Sequence, residues 1–259
     1  MTGTPQWRNK RLEDRPGKLA GRYVFLSASV PYRDLHIYRK PESVHLDIEE
    51  AVVSLARAVF AEDGRLVFGG HPSISPLVAS VAADYYPATF RAGETAEPPV
   101  AIYQSLCYAG HIPDTTQLLR TMGFANIVWT EPVGGERYVE GAPGRQCVQS
   151  VFHMRDRMLR EKDPLAMVAV GGMDGVEDEA ARFAALGTRP RPVYAFKSTW
   201  GAAAVLAEKR PMGVIVAEEH WPALMPETVR NTARFRDRPM VPYPLLMQQL
   251  VGEIALLKS

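Results

Sequence analysis

Three features of the sequence predict an α/β fold built on a doubly wound, mostly parallel sheet with helices on both faces. Short runs that are apolar at every position alternate with helix-period segments along most of the chain. Such runs suit strands buried on both faces, as parallel strands are. The runs also end in small residues, twice in a Gly-Gly pair, as strands do when the chain turns sharply into a helix.

Taken in order, Arg22 to Ser27 is the first strand. Ser43 to Phe60 reads as a helix: Ile48, Val52, Leu55 and Val59 share one stripe, and Asp47, Glu49 and Glu50 sit early, where the helix dipole favours acids. Arg65 to Phe68 is a second strand ending in Gly69-Gly70. Ser75-Pro76 then reads as N-cap and first helical residue of a helix reaching Tyr85. Pro99 to Tyr103 is a third strand, Asp114 to Met122 a helix and Asn126 to Trp129 a fourth strand. A loop from Pro132 to Arg145 follows, carrying Gly134, Gly135, Gly141 and Gly144. The second half repeats the scheme: helix Gln146 to Glu161, strand Leu165 to Val170, Gly171-Gly172, helix Val176 to Leu186, strand Val193 to Phe196, helix Ala202 to Lys209 and a weaker strand, Gly213 to Ala217. Leu245 to Lys258, with Leu246, Gln249, Leu250 and Ile254, closes as an amphipathic helix fit to pack on the core or on a second subunit.

Right-handed crossovers place every strand-to-helix loop of such a sheet on one edge, and ligands bind outside the carboxyl ends of the strands. The loops around Ser27, Gly69, Gln104, Glu131 and Gly171 are therefore the ones to interrogate. The expectation is a single Rossmann-like domain over residues 21–259, preceded by an unanchored charged lead-in over 1–20. The strand-Gly-Gly-turn-helix pattern of Leu66 to Ala83 recurs at Met167 to Leu186, and the two turns should face each other across a cleft.

Composition excludes several classes. The 259 residues carry 30 Lys plus Arg against 29 Asp plus Glu, a net charge of +1 that supports no nucleic-acid binding by charge alone. At 46% hydrophobic and 23% charged the chain is globular rather than disordered. No apolar run is long enough to span a membrane, and the lead-in lacks the apolar stretch of a signal peptide. Cys107 and Cys147 form no CxxC pair and no disulfide framework, so a cytoplasmic location is expected. The 6 histidines show no paired ligand spacing, so no metal site and no cofactor are expected. Motifs of nucleotide triphosphatases, serine hydrolases, zincins and dinucleotide-binding turns are absent from the sequence.

The candidate site residues come from the two turns and one helix. At Gly69-Gly70-His71-Pro72-Ser73-Ile74-Ser75, two glycines permit close backbone approach, and hydroxyls beside a helix start favour an anion. The alternative is a tight turn in which Ser75 only caps. At Gly171-Gly172-Met173-Asp174-Gly175, the acids Asp174, Glu177, Asp178 and Glu179 crowd a helix start, which either complements the dipole or meets sugar hydroxyls. Glu179 borders the apolar stripe of Val176 and Phe183 and is the acid best placed to enter a cleft. On the helix from Gln146 the apolar positions are Val148, Val151, Phe152, Met158 and Leu159; Arg155 stands three or four residues from the last four of these, and so lies on the buried stripe. A guanidinium there needs an anionic partner: Asp178 or Glu179 in a structural ion pair, or a ligand phosphate, or a catalytic acid that it holds in place. Arg157 and Arg160 fall on wetter faces, with Arg160 able to pair with Asp156.

Arg155, followed across an apolar strand by Gly171-Gly172, resembles the Arg…PGGxGTxxE signature of the Lonely Guy (LOG) phosphoribohydrolases, and Gly69-Gly70 resembles that family's upstream glycine turn. Val-Phe-Leu-Ser-Ala-Ser near the start, taken with Val-Phe-Gly-Gly-His-Pro-Ser-Ile-Ser-Pro, resembles sensor families of the wider SLOG superfamily (SMF/DprA-LOG). The resemblance spans Arg22 to Phe196. Val170 stands where the family has Pro, and Met173-Asp174-Gly175-Val176 replaces its x-Gly-Thr stretch. With one residue inserted, Glu179 takes the place of the catalytic Glu; without it, Asp178 does.

The resemblance implies a binding domain for a nucleotide or nucleotide-derived signal, ADP-ribose-like or cyclic, of the kind found in bacterial defence systems. Its readout would run through an effector protein, such as a TIR-type partner, or through a homo-oligomer. Ser27, Ser29, the Gly69 to Ser75 turn and Gly171 to Gly175 would line the cleft. Backbone groups of Gly69, Gly70 and Ser73 would hold phosphate, Arg155 would neutralise it, and Glu179 would take ribose hydroxyls. The alternative it implies is hydrolysis of a nucleoside 5′-monophosphate at its N-glycosidic bond by Arg155 and Glu179.

Overall fold

The computed structural model describes residues 16–31, 43–86, 97–112, 114–142, 145–187, 191–225 and 241–257. Residues 1–15 of the expected lead-in, Gly144 of the long loop and Lys258 of the closing helix lie outside these. Within 16–20 the chain is tied down. Leu19 is buried in the core, its N–H donates to Glu62 O at 3.0 Å, and Gly17 N–H donates to the Asp63 carboxylate at 2.6 Å.

The strands are β1 (Tyr23–Ser29), β2 (Arg65–Gly69), β3 (Val100–Ser105), β4 (Ala125–Thr130), β5 (Met167–Gly171), β6 (Val193–Phe196) and β7 (Val214–Val216). They form one sheet in the order β4-β3-β2-β1-β5-β6-β7, and every pairing is parallel. The helices of the crossovers are α1 (Val44–Ala61), α2 (Ser75–Tyr85), α3 (Asp114–Thr121), α4 (Val148–Lys162), α5 (Asp174–Ala184) and α6 (Gly201–Lys209). The short α7 (Ala217–His220) and the closing α8 (Tyr243–Ile254) follow.

This order explains the two cores. The chain steps outward from β1 to β4, returns past β1 to β5, and steps outward again to β7. Right-handed crossovers then place α1, α2 and α3 on one face and α4, α5 and α6 on the other. Strand residues alternate accordingly. Val24, Leu26, Leu66, Phe68, Val168 and Val170 meet Ile48, Val52, Val78 and Leu119, with α8 packed over α1 through Leu246, Leu250 and Ile254. Phe25, Val67, Tyr103, Met167 and Ala169 meet Met154, Met158, Val176, Phe183 and Leu206. The amphipathic closing helix therefore packs on the core. No helix among the described residues is long and apolar enough to cross a membrane.

Candidate functional site

β1 and β5 are neighbours, with Ser27 opposite Ala169 and Ser29 opposite Gly171. Beyond them the chain leaves toward opposite faces, into α1 after β1 and α5 after β5. That divergence opens a crevice at their carboxyl ends, the switch point of a doubly wound sheet. The crevice floor at β5 is tightly built. Gly171 and Gly172 have φ of 59° and 82°, and a methyl group on Gly171 would lie 2.7 Å from Ser29 O. Gly171 N–H donates to Thr199 Oγ1 at 2.8 Å and Gly172 N–H to Ser29 O at 2.7 Å. These glycines shape the crevice, and their own donors are spent on it.

An ion-pair network lies against this floor. Met154, Met158 and Leu159 bury α4, and Arg155 beside them is only 14% exposed. Its Nε donates to Glu179 Oε1 at 2.9 Å and its Nη1 to Asp178 Oδ2 at 2.8 Å. Glu179, 9% exposed on α5, also accepts from Ser27 Oγ at 2.5 Å, so the network reaches β1. Burial pushes the Glu179 carboxyl above its ordinary range, opposed by the Arg155 charge and the Ser27 hydrogen bond. Asp178 is shared with Arg182 at 2.8 Å; Arg182 also donates to Asp156 at 2.7 Å and lies over the Phe152 ring. The expected Asp156–Arg160 pairing is thus replaced, because Asp156 faces α5. Both acids named as partners of Arg155 take it, and Glu179 is the buried one.

Arg155 Nη2, which neither hydrogen bond uses, lies 2.8 Å from where a Cβ on Gly175 would stand. The bare backbone of Gly175 is what lets the guanidinium lie on the first turn of α5. That turn begins at Asp174, two residues earlier than the apolar periodicity implies, and carries no side-chain cap. Asp174 pairs instead with Arg145, both half exposed.

The first glycine turn is organised differently. Gly69 packs beneath α4, 3.5 Å separating the place of its absent Cβ from Met154 Cε, so both turns flank the helix that carries Arg155. Its donors are engaged, however. Gly70 N–H donates to Tyr103 O, Ser73 N–H and Oγ approach His71 Nδ1 at 3.3 and 2.8 Å, and His71 O accepts from Ile74 and Ser75 N–H. Burial pulls the His71 imidazole below its usual value. Ser75 is not the cap: Ile74 holds that position, and Ser75 Oγ is buried without a hydrogen-bond partner. Of the phosphate cradle expected of Gly69, Gly70 and Ser73, the Gly70 donor is spent, and those of Ser73 are spent wherever His71 Nδ1 is the unprotonated acceptor.

The Pro132 to Arg145 loop, long enough on sequence grounds for a lid, is pinned where it is described. Glu136 accepts from Ser150 N–H at 2.8 Å and Gln149 N–H at 3.2 Å, supplying the cap that Cys147, with φ of 55°, does not give α4. The Ser150 hydroxyl, which donates to Glu136 Oε2 at 2.6 Å, does most to hold the Glu136 carboxyl below its ordinary value, and the two N–H groups add to it.

Sequence reasoning passed over a third strand-to-helix turn, Lys197 to Gly201. Thr199 is fully buried and holds Gly171. Trp200 caps α6 at φ 57° and ψ −158°, a region that costs a non-glycine residue about 1–3 kcal/mol. The signal lay in Lys-Ser-Thr-Trp-Gly directly after an apolar strand, without the Gly-Gly that marks the other two turns.

Among the described residues no group of three or more His, Cys, Asp or Glu could hold a metal ion. No relative among the curated proteins matches the chain. A family model matches residues 38–220, from ahead of α1 to the end of α7, and so includes both glycine turns, Arg155, Glu179 and Trp200. With that match over most of its length, and a crevice assembled at the switch point of a parallel sheet, the chain belongs to the SLOG cluster3 family.

Proposed function

We propose that this chain is a cytoplasmic sensor domain that binds a nucleotide or nucleotide-derived molecule, ADP-ribose-like or cyclic, in the crevice between β1 and β5. The observation that carries this reading is the buried Arg155–Glu179 pair at the switch point. Each Glu179 oxygen accepts one hydrogen bond and retains a lone pair for a ribose hydroxyl. Arg155 Nη2 and the uncapped first turn of α5 offer positive charge to a phosphate side by side. The phosphate accordingly belongs at the α5 turn rather than at Gly70 and Ser73. Readout would run through an effector protein, such as a TIR-type partner, or through a second copy of the chain.

Thermal unfolding with a panel of AMP, ADP-ribose and cyclic nucleotides tests this. A ligand at 100 times its dissociation constant stabilises the fold by about 2.7 kcal/mol. Stabilisation by one of them, lost in Arg155→Gln, supports the proposal; no shift with any of them overturns it. A second reading, hydrolysis of a nucleoside 5′-monophosphate, draws on the raised carboxyl of Glu179, suited to proton transfer at a glycosidic bond. Free base released from AMP, and no longer released in Glu179→Gln, would favour the hydrolase. Stabilisation without turnover favours the sensor.

A further inference from the structure

Trp200 is a residue the fold alone does not account for. It joins the end of β6 to α6 with backbone angles that glycine adopts without strain. Trp200 is 42% exposed and packs on no other ring among the described residues, so a large part of it is open to a ligand. The next residue is pressed into the crevice wall. A methyl group on Gly201 would lie 2.4 Å from Gly172 O and 3.0 Å from Pro31 Cγ, and Ala202 N–H donates to Gly172 O at 2.9 Å. The indole is thus rooted one residue from the meeting point of β1's exit, the β5 glycines and α6. Ala202, Ala203 and Leu206 bury α6 on the face of the sheet that also carries Val176 and Met154, the neighbours of the Arg155–Glu179 network. Strained backbone of this kind clusters at active sites and ligand clamps.

We propose that Trp200 is the stacking wall for a planar heteroaromatic ring of the ligand, a nucleobase by chemical class. The proposal rests on the reading above that the crevice takes a nucleotide-derived molecule. The ionic groups at α5 meet sugar and phosphate, and none of them discriminates a molecule with a base from one without. An indole face supplies that discrimination and tolerates any base, because every base has a π-face.

The test measures dissociation constants of AMP, ADP-ribose and base-free ribose 5-phosphate for the wild type, Trp200→Ala and Trp200→Gly, with unfolding temperatures recorded in parallel. Wild type should bind AMP or ADP-ribose more tightly than ribose 5-phosphate, by about tenfold or more. Both variants should erase that margin while leaving ribose 5-phosphate binding unchanged. Trp200→Gly should unfold no lower than the wild type, since glycine relieves the backbone. An unchanged margin in both variants overturns the role of Trp200 and leaves the Arg155–Glu179 reading standing. A lowered unfolding temperature in Trp200→Gly, with loss of all three ligands, also overturns it by making the indole structural. A wild type that binds none of the three overturns this proposal, and the nucleotide reading falls with it only if the cyclic nucleotides also leave the unfolding temperature unchanged.

Discussion

Arg155 Nε donates to Glu179 Oε1 at 2.9 Å, joining α4 to α5 directly over the end of β1, where Ser27 holds the other oxygen of the same carboxylate. Three elements of separate crossovers are thereby locked at the point where a doubly wound sheet binds its ligands. The pair serves the fold as well as the site, and the two roles predict different things.

Removing the cation leaves a desolvated carboxylate without its main compensating charge. Breaking a buried pair from one side costs about 3–5 kcal/mol, whereas replacing both partners by apolar groups costs far less. Arg155→Met should therefore lower stability by about 3 kcal/mol, and Arg155→Met combined with Glu179→Leu should recover most of that loss. Urea unfolding of the single and double variants measures this, and additive losses would show that the two side chains are not coupled.

The raised Glu179 carboxyl has a consequence for pH. The folded state holds its proton more tightly than the unfolded chain does, so protonation favours folding. That contribution is complete below the ordinary carboxylate value of 4.5 and is lost as pH rises through the raised folded value. Glu97 and Glu161, both held below the ordinary value, act in the opposite sense: their contribution is present above 4.5 and disappears as pH falls through their lowered values. The Glu179 effect therefore appears as the difference between wild type and Glu179→Gln. Stability of the wild type relative to the variant should decline as pH rises above 4.5, and a flat difference from pH 4 to 8 would refute the shift.

Existence and order of the elements were legible because each crossover carries its own period: strands apolar on both faces, helices with one apolar stripe. Val193–Phe196 is read to the residue, since proline flanks it on one side and a polar turn on the other. At the carboxyl edge the readings stop short, at Ser27, Phe68 and Tyr103, where the strands run on to Ser29, Gly69 and Ser105. Small and polar residues there join the ladder through backbone groups, which hydropathy does not register. Arg155 was found from its helical stripe, and its partners from the acids beside Val176. Ser75 was misread as a cap because the sequence does not reveal that Ile74 O takes the Leu77 and Val78 N–H groups that a cap at Ser75 would serve. Trp200 was invisible for a related reason: φ is not written in side-chain type unless the residue is glycine.

Ser75 offers a test of that correction. A buried hydroxyl without a partner is destabilising relative to a methyl group of similar shape, while a true N-cap loses about 1 kcal/mol on truncation. Ser75→Ala should leave stability unchanged or raise it by up to about 1 kcal/mol. A loss of that size in chemical denaturation would restore Ser75 to the capping role.

Gly171 and Gly187 both adopt positive φ, 59° and 73°, yet a side chain at the two positions meets different surroundings. At Gly187 an added Cβ has nothing within 4 Å, so Gly187→Ala should cost only the left-handed strain, about 1–2 kcal/mol. At Gly171 the same atom would lie 2.6 Å from Ile48 Cδ1 and 2.7 Å from Ser29 O. The isoleucine end can rotate away, but the carbonyl belongs to β1 and accepts the N–H of Gly172 at 2.7 Å. Relief would require β1 and β5 to part at the crevice floor, so Gly171→Ala should cost about 3 kcal/mol or more. Because that movement displaces Ser29 from the turn leading to α5, the variant should also weaken nucleotide binding, whereas Gly187→Ala should not. Equal destabilisation of the two variants, with binding unaffected in both, would mean that the contact between the β1 carbonyl and the β5 glycine does not set the shape of the crevice.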